Sequence, residues 1–166
     1  LLGDLASLGA SANAYTSHTH TLYYFATVHH FEQALALYLQ AVFTPYLEQD
    51  RIEAERPVIL AELDQYQDDP DSRCYNDLLS ALYSCHPARE DIGGTPESVR
   101  QITDTDLKTV RRYFYQPDQI ILTLSGDLDE DRLLALLAGI LGERTSRPAC
   151  SRPRPVFLAE PLLPAS

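Results

Sequence analysis

Two glutamates seven residues apart, Glu55 and Glu62, carry the strongest chemical signal in the sequence. Seven residues make two helical turns, so both carboxylates point the same way. Counted at 100° per residue, Ile52, Ile59, Leu63 and Tyr66 form an apolar stripe about 60° wide, with Glu55 and Glu62 at its edge. Glu53 and Asp64 project elsewhere, toward solvent. A carboxylate half sunk in an apolar face costs several kcal/mol unless a cation or hydrogen-bond donors compensate it. A metal is one compensation. Backbone amides or an arginine such as Arg56 or Arg73 are another, and spacing alone favours the second.

Other chemistry is weaker. His18 and His20 fall in a turn, and adjacent His29 and His30 face different directions on any regular element. With His86 they make a poor metal centre. There is no GxSxG and no Walker loop, and Gly93-Gly94 reads as a plain turn. Cys74, Cys85 and Cys150 are too few for a disulfide framework and lack zinc-knuckle spacing. Reduced thiols, and so a cytoplasmic location, are expected.

At 166 residues and 45% apolar, the chain is long enough for one compact domain with a sizeable core. Its 24 acidic against 13 basic residues give a net charge of −11, which disfavours nucleic acid and anionic membrane surfaces. No apolar run approaches the roughly 18 residues of a membrane span. The sequence contains no methionine. Leu1, Leu2, Leu5 and Leu8 recur at helical period up to Gly9, and the chain is expected to enter partway along a helix, as an internal piece of something longer.

The elements that must position the glutamates follow from pattern. Residues 10–17 and 21–28 suit an antiparallel hairpin turning at His18-Thr19-His20, and Phe31, Leu35, Leu39 and Val42 define an amphipathic helix that Pro45 ends. Helices are predicted from about Glu48 to Gln67 and Asp71 to Tyr83, separated by Asp68-Asp69-Pro70. Pro57 either kinks the first of these or starts it. Loop chemistry at His86-Pro87 and residues 93–96 precedes a helix from Thr103, with Asp106 as a capping-box partner, to Tyr115. A buried strand is predicted at Gln119–Ser125 and a leucine-rich helix at Glu130–Leu141. The whole is an α+β fold with helices on one face of a mostly antiparallel sheet, residues 1–146 as the domain and proline-rich 147–166 as a tail or interdomain connector.

Several segments, in order, resemble the pitrilysin family of inverted zinc peptidases, which includes insulysin and the mitochondrial processing peptidases. They are residues 9–16 (GASANAYT) with Thr21 and Tyr23-Tyr24-Phe25, residues 55–62 (ERPVILAE) before Asp68-Asp69-Pro70, and His86-Pro87, residues 92–99 (IGGTPESV), Ile102-Thr103, Asp106-Leu107 and Gly126-Asp127-Leu128-Asp129. Together they cover about residues 5–130. In that family an HxxEH helix supplies two histidine ligands and the glutamate that activates the attacking water, and a later glutamate is the third zinc ligand. The resemblance makes Glu62 that ligand, Glu55 a supporting carboxylate, and Asn13-Ala14 the edge strand on which substrate adds by main-chain bonds.

HxxEH is absent from the sequence, and Pro57 stands where the family rarely has proline. The resemblance therefore implies part of the N-terminal domain of a zinc endopeptidase acting on peptides or unfolded polypeptide, the chain itself being inactive. The alternative is a non-catalytic, peptide-binding or partner subunit of the same family. Either way the partners are a peptide substrate and the remaining domains or a second subunit.

Overall fold

The fold is described from a computed structural model covering residues 1–142, so the proline-rich tail expected at 147–166 lies outside the described residues. These form two compact units. One gathers Leu1–Tyr15, Thr21–Tyr46 and the described chain from Lys108 onward; the other holds Thr16–His20 and Leu47–Leu107.

The first unit opens with helix α1 (Leu2–Ser7), which ends as the leucine period and Gly9 predict. Gly9 adopts φ +74°, and the bonds from Gly9 N to Ala6 O and from Ala10 N to Leu5 O close the turn in a Schellman motif. Buried Leu5 and Ala10 meet behind it, the apolar contact that accompanies this cap. The hairpin follows as β1 (Ser11–Thr16) and β2 (Thr21–Ala26), an antiparallel two-stranded sheet.

Helix α2 (Phe31–Phe43) is apolar on two faces because it is covered twice. Ala34 and Tyr38 pack on Leu5 and Ala10, whereas Leu35, Leu39 and Phe43 pack on Leu133 of α7 (Glu130–Leu141). The predicted stripe contained only the second face. Tyr38 adds a polar tie: its buried hydroxyl lies 2.8 Å from Asn13 O and 3.1 Å from Tyr24 O, one proton shared between the two strands.

The strand predicted at Gln119–Ser125 does not form. Pro117–Gln119 is a 3-10 turn, residues 120–125 have no regular structure, and Ile121 is 92% exposed. A strand needs a neighbour for its N–H and C=O groups, and the sheet of the described residues contains only β1 and β2. Ile120 and Leu124 still pack against the α2–α7 cluster, so the alternation is used without the ladder.

Two tyrosines make this unit sensitive to alkali. Tyr23 donates to or accepts from Tyr115 at 2.6 Å, and burial, then that bond, hold its phenol far above the usual range; burial also raises Tyr38. In the unfolded chain both ionise near pH 10. Above that pH the unfolded state releases protons that the folded state retains, so stability is complete below about pH 10 and falls as pH rises. Thermal melts from pH 9 to 12 should show a Tm decline beginning near pH 10, shallower in the Tyr23→Phe/Tyr38→Phe double variant. Identical slopes in the two proteins would contradict this.

In the second unit, α3 (Gln49–Asp68) packs on α4 (Pro70–Leu82) and α5 (Pro96–Gln101). Asp69 ends α3 and caps α4, its carboxylate accepting from Ser72 N at 3.0 Å with Pro70 at the first helical position. α5 is a helix that the pattern does not predict, opening directly after the loop expected at residues 93–96. Its start carries a capping box between Thr95 and Ser98 with Pro96 in the first turn. The predicted box of Thr103 and Asp106 opens α6 (Asp104–Phe114).

Candidate functional site

α3 runs through Pro57, which therefore lies inside the helix and not at its start. Proline removes the amide that would bond to the Glu53 carbonyl, so the helix is weakest between these two residues. Of the predicted stripe only Leu63 is buried, at 7% exposure; Ile52 is half-buried, and Ile59 and Tyr66 are 39% and 62% exposed. The period locates the apolar face of α3 but not what covers it. Leu63 fits under the loop because position 93 is glycine: a Cβ there would stand 2.5 Å from Leu63 Cδ2.

Glu55 and Glu62 project from the same side of α3, about 10 Å apart along the axis. Both are exposed, which corrects the half-sunk position expected at the stripe's edge. The compensation expected from Arg56 is also absent. Its guanidinium grips Glu53 in a two-point fork, Nε to Oε2 at 3.1 Å and a terminal nitrogen to Oε1 at 2.9 Å. The remaining donors reach the carbonyls of Val99 and of Ile102, the latter at 3.0 Å. Glu53, expected to stand free in solvent, is thus paired, and the Arg56 bond holds its carboxyl below the usual range. The Glu and Arg three residues apart were the signal that the sequence reading missed. Among the described residues neither the Glu55 nor the Glu62 side chain makes a hydrogen bond or ion pair.

A carboxylate oxygen is a normal zinc donor, and an unpartnered one at a helix surface is free to serve. Glu62 fits as a single ligand. Among the described residues no group of three or more His, Cys, Asp or Glu could hold a metal, so the chain's own donors do not make a closed site. The histidines do other work: His86 Nδ1 accepts from Ala88 N at 3.1 Å, and His18 Nε2 lies 3.2 Å from Glu90 O. His30 takes a left-handed conformation, φ +56°, at the start of α2.

On the hairpin, β1 pairs with β2 and with no other strand among the described residues. Asn13 and Ala14 are exposed, and the Asn13 side-chain oxygen accepts from Ala14 N at 2.8 Å. Asn13 and Ala14 lie in the first unit and the two glutamates in the second.

Residues 1–96 match the family described as Insulinase (Peptidase family M16), and residues 101–164 match the Peptidase M16 inactive domain. The chain belongs to the M16 insulinase family of peptidases. It is 34% identical over 151 residues to a Bacillus subtilis protein named uncharacterized zinc protease YmfH, covering 90% of this chain and 35% of that one. It is 31% identical over 134 residues to bovine cytochrome b-c1 complex subunit 1, covering 80% of this chain and 28% of the other. A putative M16-like peptidase of Alicyclobacillus acidocaldarius superposes with a TM-score of 0.78 at 32% identity, covering 96% of this chain and 37% of that one. The chain thus spans about a third of the length of these relatives. Among the described residues no helix is long and apolar enough to cross a membrane.

Proposed function

We propose that this chain is the part of a zinc-dependent endopeptidase that contributes the Glu62 ligand, with Glu55 supporting it and the β1 edge at Asn13-Ala14 receiving substrate. The observation that carries the reading is the pair of co-directional carboxylates on α3 whose side chains make no hydrogen bond or ion pair, while Arg56 is spent elsewhere. Both carboxylates are exposed and face the same way, so a cation approaching that side of α3 meets oxygen donors that Arg56 does not occupy. Zinc, when bound, would polarise a peptide carbonyl and lower the pKa of a bound water. Glu62 would hold it; the two histidine ligands and the catalytic glutamate are assigned to an HxxEH segment that this sequence lacks. The chain alone is then inactive, acting on peptides or unfolded polypeptide only with the rest of its parent. A reducing, cytoplasmic setting belongs to the same reading, in keeping with three scattered cysteines that lack framework spacing.

A second reading, a non-catalytic partner subunit, draws support from the likeness to a protein named as a subunit of the cytochrome b-c1 complex. Metal analysis separates the two. The full-length parent should carry one zinc and cleave a quenched peptide, losing cleavage to a chelator and regaining it with zinc. The 166-residue chain should keep no stoichiometric zinc after dialysis against a weak chelator, because one carboxylate cannot replace three protein ligands. A parent without zinc or cleavage leaves the subunit reading; a chain that retains zinc and cleaves peptides overturns the truncated site.

A further inference from the structure

We propose that Arg56 is a positioning residue that sets where Glu62 stands, an inference that rests on Glu62 being the metal ligand. Pro57 puts a weak joint in α3 in the turn between Glu53 and Pro57, where the Glu53 carbonyl has lost its helical donor. The Arg56 side chain is only 13% exposed and spans that joint. On one side it forks onto the Glu53 carboxylate, in the turn before the proline. On the other it leaves the helix and binds the carbonyls of Val99 and Ile102, where α5 ends. Val99 is itself a buried residue, 5% exposed, so that anchor is fixed. One planar group therefore ties both the turn before the proline and the direction of α3 to a neighbouring element.

The lever is short but sufficient. Glu62 lies five residues beyond Pro57, about 7.5 Å of helical rise. A change of about 10° at the joint moves the Glu62 Cα by about 1 Å. Metal sites hold their ligand distances to within about 0.2 Å, so a displacement of that size takes the carboxylate out of bonding position. Lysine cannot substitute fully, because a single ammonium lacks the planar fork that serves a carboxylate and two separate carbonyls together.

The test uses the full-length parent with Arg56→Met, Arg56→Lys and Glu62→Gln. Zinc dissociation constants by chelator competition, the visible spectrum of the cobalt-substituted protein, and Tm by circular dichroism are measured for each. Arg56→Met should weaken zinc by about 10- to 100-fold, the range for residues that orient a ligand, and alter the cobalt spectrum; Arg56→Lys should fall between it and wild type. A fall in Tm with zinc affinity and cobalt spectrum unchanged makes Arg56 merely structural and overturns the proposal, as does an unaffected Arg56→Met beside a zinc-free Glu62→Gln. If Arg56→Met does not fold, Arg56→Lys decides by the same affinity. Zinc retained by Glu62→Gln, or absent from the wild-type parent, overturns the metal reading and this proposal with it.

Discussion

Glu62→Gln in the full-length parent is expected to abolish zinc binding and peptide cleavage together while the helix content stays unchanged. The substitution keeps the side-chain shape and replaces a charged oxygen donor by a neutral amide, a much poorer zinc ligand. Folding should not suffer, because Glu62 is exposed and has no hydrogen bond or ion pair to lose among the described residues. Glu55→Gln should be milder, about 10- to 100-fold in affinity or activity, as for groups that support a ligand. Asp64→Asn is the proper control, since Asp64 is exposed on the same helix, whereas Glu53 is engaged by Arg56. Zinc by mass spectrometry and cleavage of a quenched peptide are the readouts. Full zinc and full activity in Glu62→Gln would remove α3 as the ligand helix.

The largest expected stability effect lies in the other unit. Leu35 is 1% exposed, among the most deeply buried large side chains, and sits where α2 meets Leu133 of α7. Leu35→Ala removes three side-chain carbons from a site ringed by Leu39, Phe43 and Leu133, and α2 cannot move in to fill the void because Ala34 and Tyr38 hold its opposite side. Such truncations cost about 2–5 kcal/mol, which corresponds to a Tm loss of roughly 10 °C or more in a small domain. Leu134→Ala, one residue along α7 from Leu133 and 57% exposed, should shift Tm by much less. Equal shifts for the two would show that the α2–α7 contact is not the core of this unit.

How legible all this was in the sequence depended on how local each signal is. The bounds of α2 and α7, the hairpin and the Thr103–Asp106 box are written in neighbouring residues: a turn, a period, a cap. α5 was written equally locally, in Thr95-Pro96 with Ser98, but the glycines before it drew the reading toward a loop. The failed strand at 119–125 is a different case. Its alternation is genuine, and Ile120 and Leu124 face the core, yet a ladder requires a neighbour that no single segment encodes. The site shows the same divide. Seven-residue spacing placed Glu55 and Glu62 on one face of α3. That Arg56 turns away from both, toward Glu53 and the end of α5, depended on a contact 43 residues distant in sequence.

The raised phenols of Tyr23 and Tyr38 make the molecule its own optical probe. With 10 tyrosines and no tryptophan, its near-ultraviolet absorbance comes from tyrosine, and phenolate formation shifts that band to the red. Both phenols with raised ionisation lie in the unit built around α2, none in the unit that carries the glutamates. A late phenolate step in a spectrophotometric titration therefore times the opening of one half of the chain alone, and amide exchange within α3 reads the other half independently, in the same tube and without a label.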